Sequence, residues 1–380
     1  MDFALTQDQK MVRDMVREFA TKELEPIAAE IDESREFPTT TLKKMAGLGL
    51  MGVVIPEKYG GAGLDFTTLA IICEEISRVC ASHGVITAVN NSLCAYPIYN
   101  FGNEEQRKKY LPDLCSGKKF GAFGITEPNA GSDPASMETT AVDKGDHYVL
   151  NGTKAWITNG TDAGTFVVFA YTDPEQRHKG VSAFIVEKDF EGFSVGKHEN
   201  LMGIRATGNC ELIMDECIVP KENLLGELGG GFKIVMHTLD VSRIDIGAQG
   251  VGISQGALDA SVKYAKERVQ FGKPIAEFEM IQDMIAQMSA QTDAARLLVY
   301  RAGSMKDAGA TRFTREAAIA KYFAAETVVA VTRMAVQIHG GNGYSKEYPV
   351  ERMYRDAKIV EIYEGTSQIQ KVVIARDVLR

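Results

Sequence analysis

No two cysteines in this chain are spaced for a metal or a redox switch. The six stand apart at positions 73, 80, 94, 115, 210 and 217, without a CxxC and without a histidine at ligand spacing. That pattern excludes a zinc ribbon or a thioredoxin-like site, and no metal is expected. The thiols read as small apolar residues of a protein kept in a reducing compartment. Long apolar runs are also missing. None approaches the roughly 18 residues that span a bilayer, so no membrane insertion is expected. The opening stretch, Met1 to Thr6, has neither a basic nor an apolar segment, which predicts no signal peptide and a cytoplasmic protein. Positive charge is in deficit: 42 Lys and Arg against 51 Asp and Glu give a formal net charge of -9. Such a balance disfavours a broad nucleic-acid surface but leaves room for a local basic pocket that takes a phosphate-bearing ligand. Neither a P-loop nor a Rossmann fingerprint is present.

What is present divides the chain in three. At 380 residues it is too long for one simple core. Thr6 and Gln9 have capping-box spacing, and Met11, Val12, Met15, Val16 and Phe19 follow at helical period. Pro26 marks a bend. Pro38 opens a helix with Leu42, Met45, Leu48 and Leu50 as its apolar positions. Residues 56–63 are a loop, 66–79 an amphipathic helix, 83–92 a stretch of small and polar residues, and 104–114 a short charged helix. From residue 120 short β-rich runs replace the helices, at 148–150, 154–158, 165–171, 182–186 and 210–214. Asn151-Gly152 and Asn159-Gly160 read as turns. After Gly229-Gly-Gly231 helices return at 232–268, 279–306 and 315–340, with a last one from Thr366. The expected fold is multi-domain α+β. It has an N-terminal helical domain (1–120), a middle antiparallel β domain (121–226) and a C-terminal four-helix-bundle domain (227–380).

Several stretches carry possible chemistry. In residues 359–370, Glu364 stands among Ile362, Tyr363 and Ile369 and is followed by Gly365. A carboxyl so placed is poorly solvated if buried, and becomes a better base; in a loop it is an ordinary solvated acid. Thr366 is suited to cap the helix that follows. Residues 124–133, Gly-Ile-Thr-Glu-Pro-Asn-Ala-Gly-Ser-Asp, form either a surface turn or a loop that offers N–H groups to an anion. Trp156, the only tryptophan, is either core or a flat wall, with Thr158 beside it, for a planar ligand. Arg268–Lys273 ends a helix in a basic turn, and Gln337–Tyr344 is a glycine-rich helix end. Asp240 and Arg243 share a helix face, as an ion pair in water or as ligand-facing groups.

Taken together, in order and over essentially the whole length, these stretches resemble the acyl-CoA dehydrogenase family. Two parts are the most specific: Gly124 to Ser136, and Gln337-x-x-Gly-Gly-x-Gly-Tyr continuing through Glu347, Arg352 and Asp356 to Tyr363-Glu-Gly-Thr. The resemblance implies non-covalent FAD, an acyl-CoA thioester as substrate, α,β-desaturation to the trans-2-enoyl-CoA, and electrons passed to an electron-transfer flavoprotein. It implies Glu364 as the base. It implies FAD contacts at Phe123, Ile125, Thr126, Ser132, Trp156, Thr158, Thr366 and Gln368. Arg268, Phe271, Gln337 and Gly341 match positions that reach the FAD of a neighbouring subunit, so a homotetramer built as a dimer of dimers is expected. Ser132, Asp240, Arg243, Tyr363 and Gly365 match the substrate side. Members that take glutaryl-CoA carry an Arg in the region of residues 83–92, where this chain has no Arg or Lys. The closest look is the short-chain, butyryl-CoA type. A branched or alicyclic acyl group, or the reverse reaction as an enoyl-CoA reductase, stays open; a nucleic-acid-binding member of the fold is disfavoured by the charge.

Overall fold

The computed structural model describes residues 4–380; the first three residues of the opening stretch read above lie outside it. α1 (Gln7–Phe19) starts at the capping box, with the Thr6 hydroxyl accepting from Gln9 N–H and the Gln9 amide oxygen accepting from Thr6 N–H, both at 3.1 Å. Single π and 3-10 turns over Ala20–Ile27, the latter holding Pro26, lead into α2 (Ala28–Ser34). α3 (Thr39–Gly47) follows Pro38 and buries Leu42 and Met45. Leu48 is its exposed C-cap and Leu50 is buried beyond it, so the apolar pattern outruns the helix.

α4 (Phe66–Ser77) differs from the amphipathic helix the pattern suggested. Every residue from Thr67 to Ser77 is buried, because α1 and the helices over Ala81–Ala88, Gly231–Glu267 and Glu279–Asp307 enclose it. Its acids face cations of the protein instead of water: Glu75 accepts from Arg17 at 2.6 Å, and Glu74 from Arg296 at 2.9 Å and Tyr300 at 2.8 Å. The small, polar stretch after it is likewise helical and buried, as α5 (Ala81–Ala88) and a π-helical segment, Val89–Ala95. Its amides tie neighbouring loops down. Asn90 donates to Met51 O at 2.7 Å and accepts from Gly121 N–H at 2.8 Å; Asn91 accepts from Val53 N–H at 2.7 Å. α6 (Tyr96–Phe101) and α7 (Glu104–Cys115) complete this part.

The strands are β1 (Phe120–Gly124), β2 (Thr140–Asp143), β3 (His147–Ile157), β4 (Ala163–Tyr171), β5 (Val181–Glu187), β6 (Phe193–His198), β7 (Cys210–Pro220) and β8 (Leu224–Leu225). They form one sheet in the order β6-β7-β3-β2-β4-β5-β8, with β1 on β4. Two expectations change here. β1 pairs with β4 in parallel, so the sheet is not wholly antiparallel. Asn151-Gly152 is not a turn: β3 runs through it, with a register shift against β7. A Cβ on Gly152 would come within 2.4 Å of the Thr139 hydroxyl, so the glycine serves close approach. Along β4, Val167, Phe169 and Tyr171 face the helical core while Phe166, Val168 and Ala170 face a second core on the other side. Burial on both faces explains the unbroken apolar run.

The C-terminal part holds α8 (Gly231–Glu267), a short hairpin of β9 (Val269–Gln270) and β10 (Lys273–Pro274), α9 (Glu279–Asp307), α10 (Thr314–His339), α11 (Val350–Ala357) and α12 (Ser367–Val378). α8 packs on α4, α9 and α10 at once, so one helix joins both helical parts of the chain. All six cysteines are buried and unpaired. Among the described residues no helix is long and apolar enough to cross a membrane, and no three acids, histidines or cysteines gather around a possible metal position.

Candidate active site

Between α11 and α12 the chain makes a tight turn that carries Glu364 and Gly365 at φ of 55° and 89°. Glycine takes that conformation freely; for glutamate it costs on the order of 1–2 kcal/mol. Three contacts hold the turn. Gln370 donates to Glu364 O at 3.1 Å and to Gly365 O at 2.9 Å, and the buried Lys321 ammonium on α10 donates to Gly365 O at 2.7 Å. Thr366 caps α12, its hydroxyl accepting from Ile369 N–H at 3.2 Å.

The Glu364 carboxyl lies deep in the protein yet keeps part of its surface open. Its surroundings are more polar than its sequence neighbours suggested. Ile362 points half-exposed to solvent, while Ser242 on α8 donates to Glu364 Oε2 at 2.8 Å. Burial raises the carboxyl above its usual range; the Ser242 hydrogen bond and the positive charges of Lys321 and Arg243 pull it partly back. Lys321 is itself pushed down to about 7 by burial, against the attraction of Glu364.

Asp240 and Arg243 form an ion pair at 2.7 Å that is largely buried, not solvated. Burial raises Asp240 and lowers Arg243, so the pair does not fully offset its own desolvation. Thr314 completes the Asp240 carboxylate, while Arg243 Nε has no partner among the described residues. Tyr363 turns its hydroxyl inward to Gln249.

A second group gathers at the 124–133 loop. Glu127 anchors it: its carboxylate accepts from Lys154 Nζ at 2.7 Å and from the backbone N–H groups of Glu138 and Thr139 at 2.5 and 3.1 Å. Thr126 O accepts from Ala155 N–H at 2.8 Å, which fixes the loop against the end of β3. There Trp156 stands at φ 61°, 58% exposed although its strand neighbours are buried, and Thr158 follows half-buried. Ile125 and Thr126 are half-buried and Ser132 is exposed. Phe123 is different: its ring is buried against Phe169, so only its backbone is left for a ligand. An exposed indole, a hydroxyl and an exposed glycine-bearing loop on one edge fit a flat, phosphate-bearing cofactor.

The third group is exposed and lies elsewhere. Tyr264 on α8 stacks on His339 of α10, with ring centroids 4.3 Å apart, so the end of α8 that leads to Arg268 and Phe271 packs on the end of α10 that carries Gln337 and leads to Gly341. All four are exposed, Phe271 at 95% and with φ 51°. Tyr264 lies roughly 30 Å along α8 from Ser242 at 1.5 Å per residue, so this group does not meet Glu364 of its own chain. Gln368 is exposed on α12. Among the described residues eight non-glycines have positive φ, and three of them, Trp156, Phe271 and Glu364, belong to these groups; backbone strain collects at functional sites.

Sequence reasoning missed Ser242 and Lys321, and likewise Asp245, buried on α8 one turn beyond Ser242, with the Ser92 hydroxyl that donates to it. The first two reach Glu364 or its turn across 122 and 44 residues of chain. Ser242 stands one and two residues from Arg243 and Asp240, spacings that do not share a helix face, so the sequence offered no signal for it.

Three family models cover the chain: the acyl-CoA dehydrogenase N-terminal domain over residues 6–118, the middle domain over 122–217 and the C-terminal domain over 229–379. The chain is 52% identical to a short-chain specific acyl-CoA dehydrogenase of Clostridium acetobutylicum, over 100% of both chains. Among solved structures, butyryl-CoA dehydrogenase of Megasphaera elsdenii superposes with a TM-score of 0.98 at 44% identity, covering 100% of both. A chain solved in work on the electron transferring flavoprotein of Acidaminococcus fermentans and flavin-based electron bifurcation matches with a TM-score of 0.98 at 50% identity, again over 100% of both.

Proposed function

The chain belongs to the acyl-CoA dehydrogenase family and is a short-chain type acyl-CoA dehydrogenase; from that premise we propose that Glu364 abstracts the α-proton of a short-chain acyl-CoA, which leaves as the trans-2-enoyl-CoA. The observation that carries this reading is the Glu364 carboxyl itself, buried, raised, and held by one oxygen. Ser242 engages Oε2, which leaves Oε1 for the proton. A base whose ionisation is pushed toward neutrality transfers protons best near the working pH. The Glu364 N–H donates to the thioester oxygen and stabilises the charge that develops there. Arg243 and Asp240 line the thioester and CoA end, with Tyr363, Gly365 and Ser132.

The family is FAD-dependent, and bound FAD supplies the acceptor for the β-hydride. The residues proposed to hold it are Ile125, Thr126, Ser132, Trp156 and Thr158, the backbone at Phe123, and Thr366 and Gln368. Arg268, Phe271, Gln337 and Gly341 would serve the cofactor of a neighbouring subunit in a homotetramer. Electrons then pass to an electron-transfer flavoprotein, in a cytoplasmic setting.

The test is anaerobic bleaching of the bound flavin with a panel of acyl-CoAs. Butyryl-CoA should bleach wild type faster than C12 or C16 thioesters; a long or cyclic acyl group that bleaches faster would replace the substrate assignment. Glu364→Gln keeps the shape and hydrogen bonding of the side chain but cannot accept the proton. It should stay yellow, bind enoyl-CoA with a flavin spectral shift, and bleach at least ~100-fold more slowly. Bleaching at more than about a tenth of the wild-type rate would mean that another group is the base.

A further inference from the structure

The face of α8 that meets the Glu364 turn through Ser242 and Gln249 carries a second carboxyl between them. Asp245 lies on α8 one turn beyond Ser242, the hydroxyl that holds Glu364, and is wholly buried. Its Oδ2 is bonded to the hydroxyl of Ser92 on the π-helical segment, and its Oδ1 has no hydrogen-bond partner among the described residues.

Charge around the two acids is divided unequally. Lys321 from α10 and Arg243 from α8 both act on Glu364. The groups that act on Asp245 are the Ser92 hydroxyl and Glu364 itself. The remaining titratable neighbours are neutral: Cys73 on α4 feels Asp245, and Tyr363 on the turn feels Glu364 and Cys73, and burial holds both well above their usual range. Two carboxylates in one water-poor pocket do not both ionise, and their environments decide which keeps the proton. Here the acid with the cations ionises first.

We propose that Asp245 is a positioning residue that retains its proton, so that Glu364 is the ionised carboxylate of the pair. This rests on the reading of Glu364 as the base. Burial pushes the Asp245 carboxyl up to about 8, against the Ser92 hydrogen bond, which favours the charged form. Kept neutral, Asp245 adds no negative charge to a pocket in which charge must build on the thioester oxygen. The two acids then titrate as a coupled pair, Glu364 first and Asp245 at higher pH.

Infrared difference spectra of the holoenzyme test the protonation state without relying on turnover. At pH 7 a carboxylic-acid C=O band should be present in wild type, survive in Glu364→Gln, vanish in Asp245→Asn and change frequency in Ser92→Ala. A carboxylate band lost in Asp245→Asn would overturn the proposal. The pH profile of kcat/KM for butyryl-CoA supplies the readout that a merely structural role would not move. Wild type should show, besides its acid limb, an inflection near the Asp245 value of about 8. Asp245→Asn should lack that inflection and keep its acid limb within about 0.3 unit, because one neutral group replaces another; an acid limb lowered by a unit or more would mean that a charge had been removed. An inflection that persists in Asp245→Asn belongs to Lys321 and takes Asp245 out of the pair. Should Asp245→Asn fail to fold, Ser92→Ala decides the question. Losing the hydroxyl moves the inflection upward if Asp245 owns it and leaves it in place otherwise. If Glu364→Gln bleached normally, the base would lie elsewhere, while the infrared assignment of Asp245 would still be read independently.

Discussion

At the scale of single residues, the basicity of Glu364 comes from a balance that its sequence neighbours do not show. Ile362, Tyr363 and Ile369 suggested an apolar pocket, and burial does raise the carboxyl. Yet Ser242, Lys321 and Arg243 all favour its charged form, and they offset part of the effect of burial. Lys321 does this through its charge, and its 2.7 Å bond to Gly365 O separately holds the turn. Lys321→Met removes a positive charge that favours ionised Glu364, so the acid limb of kcat/KM should move up by roughly one unit. A limb that stays in place would mean that Lys321 is already neutral when the base ionises. What was legible here was local: Glu364, its glycine and the Thr366 cap are adjacent in the chain. The rest of the pocket was not, because Ser242 and Lys321 sit on other helices and nothing in a serine or a lysine says which turn it will meet. Phe123 and Tyr363 show the same limit, since a motif gives a residue's position but not that its ring or hydroxyl is turned into the core.

At the scale of elements, the periodic pattern located the long helices within a residue or two, and it misjudged those enclosed on all sides. Residues 66–79 were legible as an amphipathic helix whose polar residues suggested a wet face, and 83–92 only as a stretch of small and polar residues. Those residues instead satisfy arginines and loop backbones, partners that lie far off in sequence. The glycines of α8 follow the same logic. In a free helix, replacing Gly252 by Ala gains up to about 1 kcal/mol from propensity. Here a Cβ on Gly252 would sit 2.2 Å from Glu74 O and 2.9 Å from Ser77 Cβ on α4. The nearer contact is to backbone, which cannot swing away, and overpacking of this kind costs about 1–3 kcal/mol. The steric term therefore wins, and Gly252→Ala should lower the melting temperature in calorimetry. A rise would mean that α4 and α8 can separate without loss. The Asn151-Gly152 pair was misread for a related reason: a turn signal describes local backbone freedom, and the strand used that freedom to let Thr139 approach.

At the scale of the whole molecule, the order of helical, β and helical parts was legible from the sequence pattern, because the change from period 3.6 to short β-rich runs is abrupt. How chains associate was not, since that depends on what covers an exposed group. Phe271 is 95% exposed at a strained φ, Tyr344 is 91% exposed and Met280 81%. A phenylalanine held rigidly in water gives its own chain little, whereas burying it against a partner is worth about 1.5–3 kcal/mol. Phe271 also lies roughly 30 Å or more along α8 from the Glu364 pocket, beyond reach of a ligand bound there in the same chain. Both facts favour a second chain whose cofactor it covers. The holoenzyme should therefore sediment at the mass of four chains at micromolar concentration. Phe271→Ala should leave the melting temperature of the apo-protein nearly unchanged, because the ring buries little in its own chain and meets only the Phe278 ring edge-on, with centroids 6.0 Å apart. In the holoenzyme it should weaken FAD retention about 10- to 100-fold, the equivalent of the lost burial, with flavin released on dilution or gel filtration. A holo-protein that stays monomeric, or a Phe271→Ala variant that holds FAD as tightly as wild type, would mean that this ring serves its own chain only and that the site is complete within one subunit.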